Sequence, residues 1–255
     1  MRNTSGRRET ILQLLSRHGK VQISELVPLL GVSMVTIRND LLLFESQGIA
    51  KRTHGGAVLA KSLSVEQSID QKTALYQDQK NRIGKLAASM VAAGDNIIID
   101  SGSTTRFLAT HLREHASITV LTNGLNIAYE LAYAPGVDLI LTGGLLRKQS
   151  LSIQGNQAES CLQAYSFDKL FLGVDGMDFQ FGATTHDEGE ANLNRTMVER
   201  TRKVIVLCDA SKFGKVSLHR IAQLDQVDAV ITDAGIPDHY RDGLRELGID
   251  LFIAD

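Results

Sequence analysis

The chain has 255 residues, 43% hydrophobic and 22% charged, with a formal net charge of -2, a balance that suits a folded protein and excludes a disordered or low-complexity one. No apolar run approaches the ~20 residues needed to cross a bilayer, and the opening residues MRNTS lack the apolar centre of a signal peptide, so a cytoplasmic protein is expected. Cys161 and Cys208 have neither CxxC spacing nor a histidine pair beside them, which points to buried free thiols; no disulfide framework, metal or cofactor is expected.

The small net charge hides an asymmetry. Residues 1–60 hold eight Lys/Arg against four Asp/Glu, leaving 19 basic and 25 acidic residues in 61–255. Only the first part is suited to the dense negative charge of a nucleic-acid duplex, where each Lys or Arg releases a condensed counterion.

In chain order, residues 7–18 place Ile11, Leu14 and Leu15 on one face and close at Gly19, which predicts a packing helix. Residues 23–30 form a second short apolar segment ended by Gly31, and Pro28 within it predicts a kink or a shortened helix. A tight Gly31-Val32 turn leads to 33–48, SMVTIRNDLLLFESQG, in which Met34, Ile37, Leu41 and Phe44 recur at helical spacing as a buried stripe. Ser33 is the N-cap and Gly48 the stop. The order is that of a helix-turn-helix, with Ser33, Thr36, Arg38 and Asn39 offered outward near the start of the second helix. Those are side chains that reach base edges and phosphates: Arg brings a fork of donors, Asn a donor and an acceptor, Thr a hydroxyl and a methyl. After it, IAKRTHGGAVL reads as two short strands joined by His54-Gly55-Gly56, a hairpin wing with Arg52 and His54 near its tip.

Residues 61–80 are polar and read as a linker and linking helix, so the predicted organisation is a winged helix-turn-helix over 1–60 and a second domain over 81–255. In the latter, apolar runs at 96–100, 118–122, 137–142, 169–174, 203–208, 228–232 and 250–254 alternate with amphipathic segments at 104–113, 125–132, 157–165, 188–202 and 239–247. Runs this apolar predict strands buried on both faces, hence an α/β domain with a mostly parallel sheet.

Ligands of such sheets sit beyond the carboxyl ends of the strands. The residues there are consistent in kind: Ser101-Gly102-Ser103-Thr104-Thr105 after Asp100, then Asn123-Gly124, Gly143-Gly144, Asp175-Gly176, and Asp209 to Lys212. Glycines admit close approach of a ligand, and hydroxyls with N–H groups at a helix start suit a phosphate. Asp175 can hold sugar hydroxyls and Lys212 an anionic group. Any one of these loops could be serving only to turn and cap the chain, but five together favour a binding site. His186 lies in THDEGE, close to Glu188 and Glu190, a segment that reads equally as part of the pocket rim or as a solvated charge cluster.

Residues Arg7, Ile11, Leu15, Ser33 and TIRNDL (36–41), the wing motif RTHGG and the later landmarks DSGSTT, TNG, TGG, FLGVDG, THDEGEANLN and DASKFG together resemble the DeoR-type bacterial repressors, over nearly the whole chain. The late segments look most like repressors of N-acetylgalactosamine and galactosamine catabolism, with sorbitol-type repressors a second resemblance. The resemblance implies a Rossmann-like sensor domain similar to ribose-5-phosphate isomerase, a phosphorylated sugar or amino sugar as effector, double-stranded operator DNA as partner and no catalytic residue; a homodimer or homotetramer is expected because one small winged helix presents few contacts, which two copies on related half-sites double. The effector set it implies, together with the strand-end reading, is Asp100, Ser101, Gly102, Ser103, Thr104, Thr105, Asn123, Gly124, Gly143, Gly144, Asp175, Glu188 and Lys212. The alternative is a sugar-phosphate isomerase or deaminase carrying a DNA-binding appendage. It would need a carboxylate among Asp175, Asp178, Glu188 and Glu190 placed as a base.

Overall fold

A computed structural model describes residues 4–46, 50–59 and 66–255, and the chain divides into two compact units, residues 1–67 and 68–255. The expected stop at Gly48 lies outside the described residues.

The first unit runs α1 (Thr4–His18), β1 (Lys20–Gln22), α2 (Ile23–Leu30), α3 (Met34–Ser46), β2 (Ala50–Thr53) and β3 (Gly56–Leu59). Its core gathers Ile11 and Leu15 from α1, Ile23 and Leu26 from α2, and Ile37, Leu41 and Phe44 from α3. Met34, expected in that stripe, is 49% exposed. The fourth inward position of α3 is instead Asp40, 1% exposed, which accepts from Arg7 Nε at 2.7 Å and Arg8 Nε at 2.8 Å. Two of the eight basic residues therefore neutralise a buried carboxylate. The positive surface of this unit is weaker than the residue count implies.

Pro28 does not break α2. Pro28 and Ser24, the residue four before it whose carbonyl loses an N–H partner, are both exposed, and Gly31, at φ +61°, closes the helix by donating to Val27 O. The wing gains a strand that the sequence did not suggest: β1 pairs antiparallel with β3, giving the order β1-β3-β2. Three residues are too few for a period to show.

The second unit begins with α4 (Ile69–Ala74) and α5 (Gln77–Ala88), so most of the segment read as a linker belongs to this fold. It continues through β4 (Asn96–Ile99), α6 (Ser103–His111), β5 (Ile118–Thr122), α7 (Leu125–Leu131), β6 (Val137–Leu141), the hairpin β7 (Leu145–Arg147) and β8 (Ser152–Gln154), and α8 (Asn156–Gln163). Then come β9 (Phe167–Gly173), β10 (Gly176–Asp178), β11 (Gly182–Thr185), α9 (Glu188–Glu199), β12 (Thr201–Leu207), β13 (His219–Ala222), β14 (Ala229–Asp233), α10 (Asp238–Glu246) and β15 (Asp250–Ala254). All seven apolar runs are strands of one parallel sheet, ordered β15-β14-β12-β9-β4-β5-β6.

Alternate residues of each strand feed two cores. Ile98, Leu170, Leu172, Val204 and Val206 enter one, and Ile97, Ile99, Phe171, Ile205 and Leu207 the other. This is why the runs lack a polar face. The chain adds β5 and β6 on one side of β4 and β9, β12, β14 and β15 on the other, so the order of winding reverses between β4 and β9. That reversal opens a crevice at the strand ends. Cys208 is buried in the first core, where burial pushes its thiol up, whereas Cys161 is only partly buried. Among the described residues no single helix is long and apolar enough to cross a membrane.

Candidate functional site

In the first unit, α3 and the hairpin flank one groove lined by Arg38, Glu45, Arg52, Thr53 and His54. Arg38 and Asn39 are exposed, one turn from the helix start. Ser33 caps α3, accepting from Thr36 N at 3.2 Å, and its hydroxyl lies 2.8 Å from that of Thr36, so both side chains have a structural duty beside any contact they make outward. Glu45 ties the wing to the helix: Arg52 donates its backbone N–H to Oε1 at 2.9 Å and its Nε lies 3.2 Å from Oε2. Arg38 and Arg52 thus reach the same groove from different elements, one from the helix and one from the wing.

In the second unit, a pocket opens at the reversal between β4 and β9. Of the sequence-derived set it gathers Asp100, Ser101, Gly102, Ser103, Thr104, Asp175 and Lys212. The loop after β4 is organised by Asp100 beneath it: Gly102 N donates to Asp100 Oδ1 at 3.0 Å, and Thr105 Oγ1 donates to the carbonyls of Asp100 and Gly102, both at 2.9 Å. The hydroxyls of Ser101, Ser103 and Thr104 then stand at the N-terminus of α6, where helix N–H groups and the positive end of the dipole favour an anion. Opposite them, Asp175 receives Lys72 Nζ at 2.7 Å, Thr185 Oγ1 at 3.2 Å and, more distantly, Lys212 Nζ at 3.8 Å. Burial alone would raise the Asp175 carboxyl, but Lys72 and Lys212 outweigh it and hold it well below the usual carboxylate range.

Thr105, Asn123, Gly124, Gly143, Gly144 and Glu188 lie outside the pocket. Thr105 is turned inward as a cap. Asn123 is buried against the β7–β8 hairpin, its backbone accepting from Ile153 N at 2.7 Å. Gly124 lets α7 start against the loop, since a Cβ there would stand 2.8 Å from Ser101 Cα. Gly143 and Gly144, at φ +68° and +125°, turn the chain out of β6. Glu188 is exposed, and the acid that enters the pocket is Glu190, 8% exposed, accepting from Ser152 Oγ at 2.7 Å. Asp178, another carboxylate considered from sequence, caps the β10–β11 turn by accepting from Gln180 N and Phe181 N.

Sequence reasoning did not assign Ile69, Lys72, Ser150, Gly173, Val174, Thr185 and Asn194 to the lining, and it offered Glu190 only as a carboxylate of the THDEGE segment, outside the effector set. A signal existed for the first two: Ser68-Ile69-Asp70-Gln71 is a capping box, Gln71 N donating to Ser68 Oγ at 3.3 Å and Ser68 N to Gln71 Oε1 at 2.9 Å. That pattern announces a helix inside the supposed linker.

Asp100 gives a prediction about pH. Burial pushes its carboxyl up to about 7, against the hydrogen bonds from Gly102, Thr105 and Gly173. The folded chain then holds this proton more tightly than the unfolded one, so between about pH 4 and 7 the group's contribution to stability falls as pH rises. Asp100→Asn should remove that slope, so that the variant gains on the wild type by up to about 4 kcal/mol across the interval in denaturation at stepped pH. Parallel curves would show that the carboxyl titrates normally.

The profile described as "DeoR-like helix-turn-helix domain" matches residues 7–63, and that described as "DeoR C terminal sensor domain" matches residues 76–234. The chain belongs to the DeoR family. It is a DNA-binding transcriptional regulator, made of a helix-turn-helix unit and a sensor unit. Over 252 residues it is 47% identical to the "Putative aga operon transcriptional repressor" of Escherichia coli O157:H7, covering 98% of this chain and 94% of that one. The HTH-type transcriptional repressor GlcR of Bacillus subtilis (strain 168) is 34% identical over 245 residues, with 96% and 94% covered. Among solved structures, ribose 5-phosphate isomerase A from Methanocaldococcus jannaschii aligns with 54% of each chain at 17% identity and a TM-score of 0.41.

Proposed function

We infer that this regulator represses an operon for the catabolism of an amino sugar, and that a phosphorylated sugar of that class, bound at the β4/β9 crevice, releases it from its operator. The observation that carries the reading is the pocket itself. An anion site of hydroxyls at a helix start faces a carboxylate with two lysines, which suits a molecule with a phosphate at one end and hydroxyl or amino groups at the other. The amino-sugar class is supported by the name of the 47% identical relative, an aga operon repressor. A regulator without catalysis is the reading that the names of the two relatives support, both of them transcriptional repressors.

We place the protein in the cytoplasm, as a homodimer or homotetramer that sets two recognition helices on related half-sites. Exposed Leu125, Tyr129 and Tyr133 along the α7 side, with Leu141 and Leu145 beside the edge strand β6, give the second unit an apolar surface suited to self-association.

A thermal-shift series tests the sensing half. Galactosamine 6-phosphate or N-acetylgalactosamine 6-phosphate at about a hundred times its Kd should raise Tm by roughly 5–10 °C. The unphosphorylated sugars should raise it little. Equal shifts with and without phosphate would contradict the anion site.

A further inference from the structure

The pocket as it stands has room for very little. Its free volume is about 50 Å³, whereas small-molecule sites run to about 300 Å³ or more. Binding a sugar phosphate there calls for a lining group to move aside. Among the groups that line it, the Lys72 side chain reaches in to Asp175 from α4, which also carries Ile69, another lining residue.

Several contacts among the described residues help to hold α4 there. Lys72 Nζ bonds Asp175 Oδ1 at 2.7 Å, Ile69 N donates to Gln149 O at 2.8 Å, the Ile69 side chain is buried, and Lys80 Nζ donates to the carbonyl of Lys72. Lys80 is itself buried on α5, and it sits close enough to Lys72, Lys212, Asp175 and Asp209 for their charges to act on it. Against these contacts, α4 is a six-residue helix, too short to persist without tertiary support. It is also the first element of the sensor unit, next in the chain to the segment that leads from the DNA-binding unit.

We propose that α4 is an effector-displaced latch, with Lys72 acting as an internal ligand of Asp175 that the incoming sugar phosphate must expel. This rests on the reading of the pocket as a sugar-phosphate site and adds how occupancy leaves it. When a hydroxyl or amino group of the sugar takes Asp175, Lys72 is displaced from that carboxylate, and α4 loses one of these ties. Lys212, whose Nζ stands 3.8 Å from the same Oδ1 atom, stays behind as a cation near the carboxylate. Binding is thereby felt where the chain arrives from the helix-turn-helix unit.

The latch predicts an affinity change of opposite sign to that of a direct ligand. Calorimetric titration of galactosamine 6-phosphate into the full-length wild type, Lys72→Ala and Lys72→Arg should show Lys72→Ala binding about ten-fold tighter, because no internal cation has to be expelled. Lys72→Arg, which keeps a cation in place, should bind within about two-fold of wild type. Unchanged or weaker binding by Lys72→Ala would overturn the latch, leaving Lys72 a bystander or an effector contact. Amide hydrogen exchange of residues 66–76 without any ligand gives a second, independent readout, expected to be about ten-fold faster in Lys72→Ala than in wild type. Equal exchange rates would also overturn the latch. Absence of galactosamine 6-phosphate binding to all three proteins, with the exchange difference present, would overturn the amino-sugar reading of the pocket and leave the latch standing.

Discussion

Lys212→Ala should give a protein that still occupies its operator but needs at least ten times more sugar phosphate to leave it. Lys212 closes the short turn 210–212 after β12, in which Asp209 caps by accepting from Ser211 N at 3.0 Å, and the turn aims the lysine at the crevice from a third strand end. Its Nζ is 3.8 Å from Asp175 and the side chain is 20% exposed, so a charge-assisted contact from it to the effector would be largely desolvated. Such contacts are worth about 1.5–3 kcal/mol, which is roughly ten- to hundred-fold in affinity. Stability should change little, because Lys72, at 2.7 Å, remains as the nearer partner of Asp175. A purely structural Lys212 would give the reverse pattern of lowered stability with normal release. Identical inducer curves for wild type and Lys212→Ala would remove this lysine from the effector site.

The second large effect is expected in the DNA-binding unit. Arg38→Ala should cost about 1–3 kcal/mol of operator affinity and flatten the preference at one base position, as for an arginine that reads a base edge. Arg52→Ala should weaken binding to all sequences alike and lower the salt dependence by roughly one counterion. The structure sharpens the contrast between them. Arg52 already pairs with Glu45, so its loss also uncovers a carboxylate in the groove that Arg38 lines. An Arg38→Ala protein with unchanged affinity and base preference would take this helix out of the groove.

The parallel sheet was legible because strands buried on both faces must be apolar throughout, and each of the seven runs became one. Where the runs end, the chain meets the crevice, so Asp100, the 101–104 loop, Asp175 and Lys212 could be placed together without any contact being known. The short strands β1, β7, β8, β10, β11 and β13 could not, because three or four residues carry no period and are fixed by partners distant in sequence. Glu188 and Glu190 illustrate a finer limit. They stand about 200° apart around a helix, so only one can face the pocket, and composition does not say which. The choice follows from where α9 begins: Asp187 is the N-cap, accepting from Glu190 N at 3.0 Å, and β11 runs straight into it. Lys72 escaped notice because the stretch around it is polar. Its helix is held by a capping box and by the pocket it closes, not by an apolar face of its own.

One sugar phosphate, bound at the β4/β9 crevice, is expected to weaken the hold of the other unit on DNA. Fluorescence anisotropy of the full-length protein on a labelled operator fragment, titrated with galactosamine 6-phosphate, tests it directly when calorimetry on the same preparation reports sugar binding. The prediction is an operator Kd that rises at least ten-fold over the concentrations at which the sensor fills, within the usual range of allosteric coupling. Saturation of the sensor with operator affinity unchanged would contradict it.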